Sequence, residues 1–248
     1  MDGVPEANDD RRLTRARASS VQTYARMAGA LLLLSIVAGF FGEVYVPSKL
    51  IVSADATATA RNIMASSLLF RAGFASYLVE ALCDVSLTLI FYVLLRPVQR
   101  ELALLAAFFG LISTALYGFA ELFYFAASVV LGGSEYLRTF SPDQLNSLAL
   151  LSLKLYGYGA GIFMVFYGVA AVLRGYLIFR SGYLPRFLGV LLALAGAGFI
   201  AKNFLLVLAP AYASDFLLLP MFLAVVSLTV WLLVKGVDVS KWEADAKR

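Results

Sequence analysis

Six apolar stretches run along this chain of 248 residues, and each is long enough to cross a lipid bilayer. A spanning helix needs about 20 predominantly apolar residues. The stretches cover residues 24–46, 68–95, 102–131, 143–173, 187–209 and 216–234. Lipid offers no hydrogen-bond partner to the backbone, so a segment that crosses it must satisfy its own amide and carbonyl groups. The sequence therefore predicts an all-α fold, an integral membrane bundle of six transmembrane helices.

Composition supports the same class of protein. Hydrophobic residues make up 61% of the chain and charged residues 15%, against roughly 45–50% and 25% in soluble domains. Basic residues lie between the apolar stretches and form no single stripe, so we predict membrane lipids as partners and no nucleic acid. Protein partners are not predictable from the sequence.

Two absences restrict the chemistry. The chain has no histidine, which excludes imidazole-ligated metals and nucleophiles activated by histidine. Its single cysteine, Cys83, has no partner for an internal disulfide and is interpreted as a small packing residue. We therefore predict no metal and no cofactor.

The distribution of basic residues predicts the orientation. Counted by alternate connections, fourteen of the 20 Lys and Arg residues lie on one side and six on the other. The richer side is expected to be cytoplasmic, which places both termini there. The predicted organisation is a disordered, charged leader over 1–22, a six-helix transmembrane domain over 23–236 and a cytoplasmic tail over 237–248.

The opening and closing helix pairs are similar to each other. Residues 26–34 in the first helix are similar to 186–194 in the fifth, and 85–88 in the second match 226–229 in the sixth. This similarity predicts a degenerate hairpin repeat formed by helices 1–2 and 5–6.

Turn signals mark several helix ends. Residues 141–144, Ser-Pro-Asp-Gln, form a predicted capping box at the start of the fourth helix. Gly182 is expected to end that helix, and Pro185 to start the next. The alanine-rich residues 54–66 after Ser53 predict a short surface helix outside the bilayer.

Polar side chains recur at helical spacing inside the apolar stretches, which predicts helices around a shared polar interior. At about 1.5 Å per residue, Glu80 lies near the bilayer midplane, and most of the other charges lie toward the exterior. We predict an outward-opening pocket. Its candidate ligand-binding residues are Glu43, Glu80, Asp84, Tyr117, Glu121, Tyr124, Lys154, Tyr158, Lys202 and Asn203.

The acids of this set outnumber the bases. Lys154 and Lys202 are expected to pair with acids of the first three helices, but two lysines cannot neutralise four carboxylates. At least one acid should therefore be protonated, cation-bound or hydrated, and the midplane residue Glu80 is the leading candidate. The alternative is that salt bridges and tyrosine hydrogen bonds merely fix the helix arrangement.

Three functions remain open. The first is small-molecule or ion binding by a carrier or solute sensor, with proton coupling as one option. In this function the lysines also suit a carboxylate or phosphate on the ligand. The second is a membrane enzyme that uses a carboxylate as general acid or base on a lipid-borne substrate. The third is a structural or partner-binding protein.

Three segments carry a family resemblance. The longest is residues 166–192, which begins Phe-Tyr-Gly and ends Gly-Val-Leu-Leu. The other two are residues 83–87, Cys-Asp-Val-Ser-Leu, and residues 92–98, Tyr-Val-Leu-Leu-Arg-Pro-Val. Together they resemble a bacterial family of multi-pass inner-membrane proteins known only as a domain of unknown function. The resemblance covers nearly everything after the leader. It implies a bacterial cytoplasmic membrane and supplies no activity, cofactor or catalytic residue.

Overall fold

A computed structural model describes residues 5–247 of the chain, with side chains described from residue 20 onward. The structure is 87% helical, and its described residues form no strand. The helices are α1 Pro5–Gly39, α2 Val46–Leu50, α3 Ala56–Ala65, α4 Ser67–Leu95, α5 Arg100–Val130, α6 Pro142–Ser181, α7 Arg186–Leu208, α8 Leu219–Val234 and α9 Val239–Ala246. The predicted all-α class is confirmed.

Six segments of this structure are long and apolar enough to cross a membrane. They are Ser20–Leu50, Ser67–Leu95, Arg100–Val130, Pro142–Ser181, Arg186–Leu208 and Asp215–Val234. Each overlaps one of the six predicted stretches, so the predicted number of spans is confirmed. The spans are longer than the predicted stretches mainly where a helix continues into polar sequence. This happens because the end of a helix depends on capping signals as well as on hydropathy.

The first span combines three helical segments. Helix α1 leads directly into a π-helical segment, Phe40–Tyr45, and then into α2. Helix α1 begins at Pro5, within the leader predicted over residues 1–22, and the predicted division into leader, transmembrane domain and tail stays a prediction. Residues 1–4 of that leader lie outside the described part of the chain.

The predicted capping signals have the expected geometry. The Ser141 amide donates to Gln144 Oε1 at 2.8 Å, and the Gln144 amide donates to Ser141 Oγ at 3.3 Å. Gly182 has a φ of +69°, a left-handed conformation that favours glycine, and Pro185 caps α7. The surface helix starts two residues later than predicted. The reason is that Asp55 is its N-cap, since the Asp55 side chain accepts a hydrogen bond from the Ala58 amide.

The chain divides into two compact units. Unit 1 comprises Met1–Leu33, Ser86–Gly110 and Tyr167–Arg248. Unit 2 comprises Leu34–Val85 and Leu111–Phe166.

Glycines bring α6 and α7 into backbone contact in unit 1. A Cβ built on Gly175 would lie 2.6 Å from the Gly189 carbonyl oxygen, and one built on Gly189 would lie 2.5 Å from the Gly175 oxygen. Neither position has room for a side chain. Absence of a Cβ therefore allows these helices to approach closely, as small residues do in other membrane helix pairs.

The carbonyl of Leu94, near the end of α4, anchors two later parts of unit 1. Tyr183 Oη donates to it at 2.7 Å, and Trp242 Nε1 in α9 donates at 2.9 Å. Burial raises the pKa of the Tyr183 phenol above its ordinary range, which keeps the hydroxyl protonated as a donor. The predicted tail over 237–248 therefore contains a helix held against the end of α4.

Arg174 is a buried cation of the same unit. Its guanidinium donates to Thr88 Oγ1 at 3.1 Å and lies 5.4 Å from the centre of the Phe91 ring. Only 8% of the residue is exposed. Hydrogen bonding and a cation–π contact together offset part of the cost of removing the charge from water.

Candidate functional site

Glu43 is positioned by the π-helical segment of the first span. A π-helical turn changes the direction in which nearby side chains point, and such turns recur at functional sites. Tyr77 from α4 donates to the Gly42 carbonyl oxygen of this segment at 2.7 Å. A Cβ on Gly42 would lie 2.5 Å from Ser76 Oγ and 2.9 Å from the Tyr77 ring, so glycine is required for this close approach. Tyr156 from α6 donates a hydrogen bond to Glu43 Oε1.

Glu80 lies on α4 and accepts a hydrogen bond from a residue of α5. The Tyr117 hydroxyl donates to Glu80 Oε2 at 3.0 Å. A Cβ on Gly39 would lie 3.0 Å from Glu80 Oε1, so the bare glycine leaves space for this carboxyl group. Asp84, one turn further along α4, is half-buried and close enough to interact electrostatically with Glu80.

Glu121 on α5 is the most buried acid of the group, with 3% of the residue exposed. Neither of its carboxyl oxygens has a hydrogen-bond partner among the described residues. The Tyr156 hydroxyl faces this carboxyl, but its single proton is donated to Glu43. An ionised carboxylate in this position would be both buried and unpaired, which is among the most costly states for a side chain.

Aromatic rings pack closely around these acids. The Tyr77 and Tyr124 ring centres lie 5.2 Å apart at 80°, those of Tyr124 and Tyr156 5.5 Å apart at 71°, and those of Tyr77 and Tyr117 6.0 Å apart at 87°. Tyr124 also stacks on Phe70, with ring centres 4.3 Å apart. Edge-to-face packing of this kind holds the hydroxyl groups in fixed directions.

We refer to the three acids and four tyrosines of unit 2 as the acid–tyrosine site. Its members are Glu43, Glu80, Glu121, Tyr77, Tyr117, Tyr124 and Tyr156.

Burial of the three acids increases stepwise across the acid–tyrosine site. Glu43 is exposed, Glu80 is half-buried and Glu121 is buried. Tyr156 lies between the two extremes, since it bonds to the exposed acid and faces the buried one. The Tyr156 hydroxyl therefore lies between the carboxyl groups of Glu43 and Glu121.

Two candidate residues of α6 do not lie in the acid–tyrosine site. Lys154 and Tyr158 are both on the exposed face of the helix, and Tyr158 is 64% exposed. The buried face carries Leu153 and Tyr156 instead. Lys154 has no ion pair with an acid among the described residues.

Two further candidate residues, Lys202 and Asn203, lie in unit 1. Lys202 Nζ forms an ion pair with Asp215 Oδ1 at 2.6 Å, whereas the sequence predicts a partner from the first three helices. Proximity along the chain explains the difference, since Asp215 begins the last span only 13 residues after Lys202. Asn203 is buried and donates to the Phe199 carbonyl oxygen of its own helix at 2.9 Å, which satisfies it within α7.

The candidate residues predicted from the sequence include Tyr117 and Tyr124 but not Tyr77 and Tyr156. Tyr77 precedes Glu80 by one helical turn and shares its face, a spacing that is visible in the sequence. Tyr156 follows the buried residues Ala149 and Leu153 at helical spacing, so an apolar stripe marked the interior face of α6.

In the part of the chain that the structure describes, no group of three or more acids or cysteines is arranged to hold a metal ion.

Six spanning-length helices and a family match define the class of protein. The chain is a multi-pass membrane protein. Residues 27–236 match the family described as Domain of unknown function (DUF4386), and the chain belongs to that family. It is also similar to an uncharacterized protein from Archaeoglobus fulgidus, with 26% identity over 159 residues that cover 64% of this chain and 80% of the relative. No solved structure gives a significant match.

Proposed function

We propose that this protein binds a small molecule or ion at the acid–tyrosine site and acts as a carrier or solute sensor. The observation that carries the proposal is Glu121, a buried carboxyl group inside a membrane span with no hydrogen-bond partner among the described residues. Ionisable groups within spans are costly and mark ligand or proton pathways by default. A purely structural role explains Glu43 and Glu80, because both accept hydrogen bonds from tyrosines. It does not explain why Glu121 is a carboxylic acid.

Within this proposal Glu121 carries a proton while the site is empty. A protonated carboxyl group can donate to the Tyr156 oxygen, whose own proton is directed to Glu43. A bound ligand would then replace this proton or accept a hydrogen bond from it. The sequence-based proposals of a bacterial cytoplasmic membrane and of cytoplasmic termini complete this picture, with the site on the exterior half of the spans.

A ligand screen tests the proposal. Detergent-purified protein would be heated with a library of metabolites and inorganic ions, and the unfolding temperature followed by intrinsic fluorescence. We expect at least one compound to raise this temperature in the wild type but not in Glu121→Gln, because a ligand that binds only the folded state stabilises it. The control is Glu135→Gln, since Glu135 is exposed and pairs with Arg138 outside the site. A library in which no stabilisation depends on Glu121 would contradict the proposal.

A further inference from the structure

The acids of the acid–tyrosine site have no basic partner within unit 2. Its described Lys and Arg residues are all exposed, and none lies within ion-pair distance of the three acids. They are Lys49, Arg61, Arg71, Arg138 and Lys154. The site therefore presents an excess of acidic oxygen, which suits a positively charged ligand.

The positions of the two lysines argue against an anionic ligand. Lys154 and Lys202 were the residues that suited a carboxylate or phosphate group on a ligand. Lys154 lies on the exposed face of α6, and Lys202 is paired with Asp215 in unit 1. An anion at Glu121 would meet carboxyl groups and the negative faces of aromatic rings, and both repel it.

The aromatic shell distinguishes between kinds of cation. A dehydrated metal ion needs several oxygen ligands at once, and the described residues contain no group of three or more acids arranged for one. An ammonium ion needs fewer ligands, because the faces of tyrosine rings attract it directly. Such rings lie beside the acids, where the Tyr77 ring centre is 5.2–6.0 Å from those of Tyr117, Tyr124 and Tyr156.

We propose that the acid–tyrosine site takes an organic ammonium ion, a protonated amine or a quaternary ammonium group. This inference rests on the proposed function and specifies its ligand. The neutral Glu121 carboxylic acid releases its proton to water as the ammonium ion enters, and the resulting carboxylate pairs with the ammonium charge. One positive charge enters and one leaves, so the net charge of the site is unchanged. The exchange makes the ligand a competitor of the proton.

The test compares ligands of matched shape and different charge on the full-length protein. The cationic probes are benzylammonium, butylammonium and tetramethylammonium, and their neutral counterparts are benzyl alcohol and butanol. Benzoate is the anionic probe, and sodium is the inorganic probe. Binding is measured by isothermal titration calorimetry in two buffers with different ionisation enthalpies, which reports the protons released. We expect at least one ammonium probe to bind about tenfold or more tightly than its neutral counterpart, with release of about one proton per ligand.

Variants connect the binding to the site. Glu121→Gln is expected to lower affinity for the ammonium probe about tenfold or more, because the glutamine side chain cannot supply the countercharge. Glu135→Gln should bind as the wild type does. Should Glu121→Gln fail to fold, the comparison of charged and neutral probes on the wild type still decides the question.

The outcomes separate this inference from the proposed function. Glu121-dependent binding of benzyl alcohol, benzoate or sodium, without preference for an ammonium probe, would overturn the ligand class and leave the proposed function standing. Failure of every ammonium probe to bind the wild type would also overturn the ligand class. If, in addition, no compound in the thermal screen acts through Glu121, the proposed function fails as well.

Discussion

Replacing Gly42 with leucine is expected to destabilise the protein by about 3 kcal/mol, the upper end of the usual cost of overpacking. A Cβ at this position would lie 2.5 Å from Ser76 Oγ and 2.9 Å from the Tyr77 ring. The serine can rotate away, but the ring is fully buried and held by its hydrogen bond to the Gly42 carbonyl. The remaining leucine atoms would therefore force α4 away from the π-helical segment. Chemical denaturation in detergent measures the change in unfolding free energy.

A matched substitution serves as the control for Gly42→Leu. Gly118 lies on the exposed face of α5, and a Cβ built there has no neighbour within 4 Å. Gly118→Leu is therefore expected to change the unfolding free energy by less than about 1 kcal/mol, since leucine is also the better helix former. Equal effects of the two substitutions would contradict the close approach described at Gly42.

Replacing Gly175 with alanine is expected to cost about 2 kcal/mol in unit 1. The added methyl group would lie 2.6 Å from the Gly189 oxygen and 2.6 Å from the Ala193 nitrogen, both of them backbone atoms of α7. Backbone atoms cannot move aside by rotating a side chain, so the two helices must separate. The measurement is again the unfolding free energy in detergent.

Gly157 provides the control for Gly175 on the same helix, α6. It has open space around the position of a Cβ, so Gly157→Ala should be neutral or stabilise by up to about 1 kcal/mol through helix propensity. A destabilisation by Gly157→Ala that matches the loss at Gly175 would mean that glycine is needed for some reason other than the contact between α6 and α7.

The fold was largely predictable because its main determinants are local in sequence. Apolar length identifies each span without knowledge of its neighbours, and all six predicted stretches overlap spanning-length helices. The capping box at residues 141–144 and the turn at Gly182 likewise depend on only a few consecutive residues. The π-helical segment was not predictable, because no residue type specifies the extra residue in the turn.

The candidate site was predictable only in part, because it depends on how each helix is rotated about its axis. In unit 2, Glu43, Glu80 and Glu121 each lie beside tyrosines, and their role in ligand binding stays a prediction. On α6 the polar residues Lys154 and Tyr158 instead occupy the exposed face. A long amphipathic side chain can reach water from such a face, so polarity alone does not identify the interior of a membrane helix.

Sequence reasoning also chose Glu80 as the acid that carries a proton, from its depth in the span. The structure gives Glu80 a hydrogen bond from Tyr117 and leaves Glu121 without a partner among the described residues. Hydrogen bonding to the charged form stabilises a carboxylate, whereas burial without a partner opposes it. We therefore expect Glu121 to be the protonated acid.

Difference infrared spectroscopy of the protonated carboxyl band tests this expectation most directly. The ligand-free protein at neutral pH would be compared with Glu121→Gln and with Glu80→Gln, which removes an acid that already has a hydrogen bond. We expect a protonated carboxyl band in the wild type that is lost in Glu121→Gln and retained in Glu80→Gln. A band that survives in Glu121→Gln and disappears in Glu80→Gln, or the absence of any such band from the wild type, would contradict it.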